Sequence, residues 1–407
     1  MKRGRGDDKP ADESFETRLI NLIVKVGDKN VQNLSSHLDG LSRALEGDLA
    51  LHRSLITDTV FDCVHWLQPK TPVYGTLVGL LNAADDEFGA AVATRTQHEL
   101  QRALNDHAPV HIRGLVRFVA ALLNARVLAT APAVELLETL LLVGETEGGA
   151  CPAARRDWFV CIVLDALALC GGTLSREAPD KLAELLAAVR RHAATREPLR
   201  VAAPLLLPFG AATADDDVEE PFDAMWALVT ALSEGGWSSA HLLAPHRAFE
   251  KKLDEAPQHP LPLVTIPPHE RGCTYPWLLR LRLLRPPPVA AAPDAGAGGA
   301  AAAEEGGGEA AAEEKMAVEV EAAAGSAASL GVAERVLLEE SVAMVAHAFV
   351  DSHKLGAKLL ASMQARTPRR RRSCRARPNL AARPGPLRRC LASRRARCTS
   401  KCCSLSC

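Results

Sequence analysis

The chain has 407 residues, with 48 basic against 49 acidic side chains and 47% hydrophobic but only 4% aromatic residues, so its apolar content is mostly Ala, Leu and Val, which favours helices over sheets. The charge is unevenly placed: residues 367–407 hold twelve Arg, one Lys and no acid, which leaves the other 366 residues at net −14 and excludes a broad phosphate-attracting surface on the body. Five cysteines (Cys63, Cys151, Cys161, Cys170 and Cys273) are scattered before that tail and six lie within it, a usage that suits a reducing compartment rather than a disulfide framework.

Residues 1–13 are polar, lack the apolar run of a secretory signal and are expected to be disordered. From residue 14 to 253 the dominant signal is repeated amphipathic helix, interrupted by Gly, Pro or acidic clusters. Leu34, Leu38, Leu41 and Leu45 share one face. Ile56, Val60, Cys63 and Leu67 repeat the pattern, as do Tyr74, Leu77, Val78 and Leu81. Leu115, Phe118, Val119, Leu122 and Val127 make a further stripe, with Arg113 and Arg117 expected on its solvent side. Thr130 is expected to cap a helix with Pro132 in its first turn, and Pro152 stands near the start of the next. Residues 198–221, with Asp215, Asp216 and Asp217, read as a long loop, after which Phe222, Met225, Trp226, Val229 and Leu232 resume the rhythm. Helices in series with short loops pack antiparallel, so the expected fold is all-α: an α-α superhelix of stacked antiparallel hairpins of the armadillo/HEAT kind.

Residues 254–285 form a Pro-rich connector, and 286–330 an Ala/Gly/Glu low-complexity linker with eight acids and one Lys. Helical periodicity returns over 331–366 through Val336, Leu337, Val342, Val345, Phe349, Leu355 and Leu359. Residues 367–407 show neither period and read as a disordered Arg/Cys-rich tail, expected to derive from a reading-frame change or a retained intron. No eighteen-residue apolar run is free of charge, so no membrane span is expected.

Several blocks are specific. Residues 26–49 (VGDKNVQNLSSHLDGLSRALEGDL), 74–83 (YGTLVGLLNA), 115–128 (LVRFVAALLNARVL), 155–160 (RRDWFV), 237–249 and 260–269 (PLPLVTIPPH) resemble, in order, the first helical domain of the large subunit of the nuclear cap-binding complex. Residues 334–363 resemble the opening of that family's second helical domain, so 331–366 is expected to be an incomplete domain. The resemblance implies the helical-repeat fold of the middle domain of initiation factor four gamma. It also implies a scaffold role. A small partner subunit with an RNA-recognition fold binds the 7-methylguanosine cap of RNA polymerase II transcripts, and the large subunit supports it and docks factors for splicing, export and nonsense-mediated decay. Capped RNA is then an indirect partner and the nucleus the expected location, with shuttling to the cytoplasm. In that family the small subunit docks chiefly on later domains, so weak binding is expected of this chain. The alternative is a cytosolic helical-repeat scaffold in translation initiation or mRNA decay.

Lys2, Arg3 and Arg5 stand where the family carries a basic import signal, diluted by Asp7 and Asp8. In RRDWFV, Arg155, Arg156 and Trp158 could clamp RNA. Yet Trp158, Ile162, Ala166 and Leu169 share a helical face, so the block is expected to be structural, with Asp157 near the positive end of a helix dipole. The run Arg369–Arg372 could act as a nucleic-acid arm or an import signal. Tail cysteines 398, 402, 403 and 407 lack the spacing of zinc knuckles and have no nearby His. No nucleophile elbow, HExxH or phosphate loop occurs, and His241, His246 and His259 are dispersed. No catalytic, cofactor or metal site is expected.

Overall fold

The computed structural model describes residues 14–27, 33–199, 205–206, 220–238, 242–270, 273–275, 280–281, 334, 336–337 and 344. Lys2, Arg3, Arg5, His241, the 286–330 linker and the 367–407 tail lie outside the described residues, as does most of the 198–221 loop and of 331–366.

The chain opens with α1 (Phe15–Lys25), capped by Ser14 Oγ accepting from Thr17 N at 3.2 Å. Next come α2 (Leu34–Glu46) and α3 (Leu49–Trp66), which bury the expected leucine and Ile56–Val60–Cys63 faces. α4 (Thr71–Asn82) and α6 (Pro109–Asn124) depart from the one-faced reading. Every residue of α4 is buried, and so is every residue of α6 from Ile112 on. The reason is position: α4 is packed by α2, α6 and the intervening α5 (Asp86–Asn105), and α6 in turn lies between α4, α5 and α9 (Ala153–Glu177). At the α4–α6 crossing a Cβ on Gly75 would stand 2.6 Å from Ala121 Cβ, and one on Gly79 2.6 Å from the Ala125 carbonyl oxygen, so only glycine permits the approach.

The stack continues through α7 (Thr130–Leu141), the one-turn α8 (Val143–Thr146), α9, α10 (Pro179–Thr195), α11 (Pro221–Glu234) and α12 (Glu250–Asp254). α9 is long and apolar enough to cross a membrane by composition, yet it is a core helix packed by α6, α7, α10 and α11. Ala129 rather than Thr130 is the N-cap of α7. The Thr130 hydroxyl, already inside the helix, donates instead to Glu177 at the far end of α9. Tight reversals follow α5 and α6, where His107 (φ +48°) and Arg126 (φ +61°) take the left-handed C′ position usually filled by glycine. Each closes the same pair of backbone bonds: His107 N to Leu104 O with Ala108 N to Ala103 O, and Arg126 N to Leu123 O with Val127 N to Leu122 O.

Arg113 and Arg117 do not face solvent. Both are buried in the α6–α9 interface, where Arg113 Nε donates to Asp165 Oδ2 at 2.7 Å and Arg117 Nη1 donates to Oδ1. The error has a plain cause: a helix covered on all sides has no wet face, and its polar side chains must find partners inside. Burial alone would raise the Asp165 pKa, but the two guanidiniums outweigh it and hold the carboxyl below its usual range. A second polar rung lies one end over, where Asn124 Nδ2 donates to Leu169 O at 3.0 Å and Thr173 Oγ1 donates to Asn124 Oδ1 at 2.6 Å.

The Pro-rich stretch is bonded to the helical stack. Residues 257–269 run extended across α4, α5 and the start of α9 as a strap, and helix side chains bond to its backbone. Asn82 Nδ2 donates to Pro257 O (2.8 Å), Gln97 Nε2 to Leu263 O (3.2 Å) and Gln101 Nε2 to Thr265 O (2.8 Å), while Thr265 N donates to Gln101 Oε1 (2.7 Å). A short parallel bridge joins it to the α6–α7 turn, with His259 N donating to Val127 O and Ala129 N to His259 O. Its own Leu261 and Val264 are buried in the core. Away from this strap, Leu205–Leu206 pairs in parallel with Arg280–Leu281.

Two outcomes follow for stability. Asp165→Ala leaves two buried guanidiniums without their shared carboxylate and should cost about 3–5 kcal/mol in urea unfolding, whereas an all-apolar replacement of the three residues should be near neutral. Acid should act in two stages. His246, buried and beside Arg247, Arg176 and Arg126, has its pKa pushed down to about 4. The unfolded chain therefore binds a proton there at higher pH than the folded one, so as pH drops from about 6.5 towards 4 His246 contributes a fall in stability of roughly 1.4 kcal/mol per unit, a share that His246→Gln should remove while the shares of the lowered His65 and His111 remain. Below about pH 4 the stability contributed by the depressed Asp165 is lost in turn as pH falls through its folded-state pKa.

Candidate functional site

The RRDWFV block opens α9, and its side chains point inward. Arg155 is 1% exposed and fully engaged: Nε donates to both Glu147 carboxylate oxygens (3.0 and 3.1 Å), and Nη2 donates to Glu147 Oε1 and to Pro267 O (2.6 Å each). Its Nη1 donates to the Tyr275 hydroxyl at 2.8 Å, and the guanidinium lies over the Phe159 and Tyr275 rings. Such a group cannot reach RNA. It ties the end of the strap to α9. Trp158 is buried edge-on against Phe159, with Tyr275 5.9 Å away, so its indole packs and does not offer a stacking face. Arg156 lays its stem on Gly144.

Asp157 does not serve the helix dipole. It lies beyond the first turn of α9, accepts from Arg196 Nε at 3.2 Å and bonds His192 Nε2 at 2.7 Å. Arg196 reaches on to Glu220 and Asp223 at the start of α11, so one buried acid pins α10 and α11 to α9.

The exposed chemistry lies elsewhere, on a face that periodicity did not single out. A groove of about 620 Å³ opens between the end of α3, α5 and the start of α6. Trp66, 48% exposed, stands on its rim beside His65, whose ring packs at 3.6 Å from His111 of α6. Burial first, then its neighbours His111 and Arg102, push the His65 pKa down to about 4, and burial likewise lowers that of His111. Both imidazoles are therefore neutral near pH 7. Burial and the nearby Asp58 raise the Asp62 carboxyl. The remaining charges are largely paired: Arg95 to Asp58 (2.5 Å) and to Glu99, and Arg102 to Glu99 (2.5 Å). With an indole on the rim, Phe61 and Leu115 in the lining, and Arg95 and Arg102 already paired with acids, this groove suits a peptide side chain better than a phosphate. The signal in the sequence was the His65–Trp66 pair off the Ile56–Leu67 stripe.

These features define a class: a helical hairpin stack braced by internal ion pairs, with an open groove beside Trp66. The model of the MIF4G domain matches residues 16–219, and the chain belongs to that family. It is also 34% identical over 262 residues to nuclear cap-binding protein subunit 1-A of Xenopus laevis, and 33% identical over 261 residues to nuclear cap-binding protein subunit 1 of Homo sapiens. Each match covers 64% of this chain and 32% of the relative, so the chain spans about a third of the length of these relatives.

The strap clamp can be tested. Tyr275→Phe removes the acceptor of Arg155 Nη1 inside a buried site and should cost about 1–3 kcal/mol, with faster limited proteolysis within residues 257–275 than in the wild-type chain.

Proposed function

We propose that this chain is a scaffold of the nuclear cap-binding type, in which the helical stack presents a rigid surface to RNA-processing factors while a small subunit holds the capped RNA. The observation that supports the reading is the identity to cap-binding subunits across 64% of the chain, on a fold whose polar side chains are spent on internal bracing. A rigid solenoid suits the role because docking on pre-ordered helices loses little conformational entropy. The role is non-catalytic and nuclear, with shuttling through export. The relatives' names favour this reading over a cytosolic scaffold in translation or decay.

Within that reading the Trp66 groove takes a peptide from a docking factor, and the small subunit is held only weakly by the residues present here. On immobilised cap analogue with the small subunit added, this chain should be retained well below the level of a full-length relative; equal retention would sink the second part. Trp66→Ala, at an exposed site, should leave the thermal midpoint nearly unchanged while weakening capture of a splicing or export factor roughly tenfold, read by titration.

A further inference from the structure

His107 sits at the C′ position of the α5–α6 reversal, in a left-handed backbone conformation that few side chains other than glycine and asparagine adopt. That conformation points the imidazole at the end of the strap. Its Nε2 is fully buried and has no hydrogen-bond partner among the described residues. Glu270 Oε2 lies 3.9 Å away, outside bonding distance. Cys273 N donates to Glu270 O at 3.2 Å, and the free thiol of Cys273 lies near the same imidazole. The three donor atoms all lie within 4.8 Å of one another.

We propose that His107, Glu270 and Cys273 bind a divalent transition metal of the zinc class, which rivets the end of the strap to the α5–α6 turn. Tetrahedral zinc, with bonds of about 2.0–2.3 Å, holds its donors roughly 3.3–3.8 Å apart. The set is slightly open relative to that geometry, and Glu270, being 72% exposed, is free to close in. An imidazole nitrogen and a thiolate favour zinc over magnesium or calcium, while a carboxylate completes a common mixed set. Three protein ligands leave the fourth position to water. A water molecule could satisfy an orphan nitrogen alone, but it would not account for a thiol and a carboxylate converging on that nitrogen from a separate segment. The thiol must lose its proton on binding, so uptake releases a proton and weakens in acid. The neighbouring Tyr275–Arg155 clamp holds the same end of the strap, so metal and clamp reinforce each other.

The test uses the 407-residue chain with tail cysteines 374, 390, 398, 402, 403 and 407 changed to Ser, so that they contribute no background binding. After chelator treatment under reducing conditions, zinc titration should give one equivalent per chain, a rise in thermal midpoint, and slower proteolysis around residues 270–275. Cobalt should give a thiolate-to-metal absorption band. Cys273→Ser and His107→Asn, the latter keeping a side chain that tolerates the left-handed backbone, should each abolish the equivalent and the band while melting like the parent in chelator. If His107→Asn fails to fold, Cys273→Ser decides. Absence of the equivalent in the parent, or its persistence with the cobalt band in Cys273→Ser, would overturn the site.

Discussion

A single carboxylate between two guanidiniums holds the middle of this molecule together. Asp165 of α9 receives Arg113 and Arg117 of α6 in a largely apolar interface. An ion cluster of this kind adds little net stability over a well-packed apolar one, because desolvation consumes most of its Coulombic gain. What it supplies is register. Sliding α6 by one turn against α9 would strand three charges in the core, whereas leucines could repack. The Asn124–Thr173 rung repeats the constraint one step along the same two helices.

From that fixed pair the outer elements are placed by the same means. Asp157 gathers His192 and Arg196, and Arg196 carries the link to α11. Arg155 gathers Glu147, Tyr275 and the Pro267 carbonyl, closing the strap. Three arginines of α6 and α9 that could have touched a phosphate backbone, Arg113, Arg117 and Arg155, are thus used up inside. On the proposed reading, in which a partner holds the RNA, such contacts are dispensable, and the exposed indole beside neutral imidazoles suits protein rather than nucleic acid.

Hydrophobic period identified the buried faces of α2, α3 and α11, because those helices flank the stack and keep one side wet. It misplaced Arg113 and Arg117, since a pair of arginines four apart reads the same whether it meets water or a carboxylate about fifty residues further on. Trp158 is buried, on a face whose apolar residues recur at helical spacing. The grip of Arg155 was not legible in the sequence, because two of its acceptors, the Tyr275 hydroxyl and the Pro267 carbonyl, lie more than a hundred residues away in a segment that proline makes look like a linker. Proline supplies no N–H, so a strap rich in it makes no ladder of its own. Its carbonyls depend on amide and guanidinium donors from helices, a dependence no local window displays. The Trp66 groove and the His107 cluster share that invisibility, for each assembles from separate elements.

The strap also bears on the order in which the molecule is made. Asn82 waits for Pro257, and Gln101 for Thr265, across well over a hundred residues of chain. Neighbouring hairpins such as α4–α5 close over short loops and can form early, while contacts of such separation come late. On a ribosome, the glutamine and asparagine side chains of α4 and α5 stay hydrated until the strap emerges. The strap is therefore a latch that only a completed stack can receive.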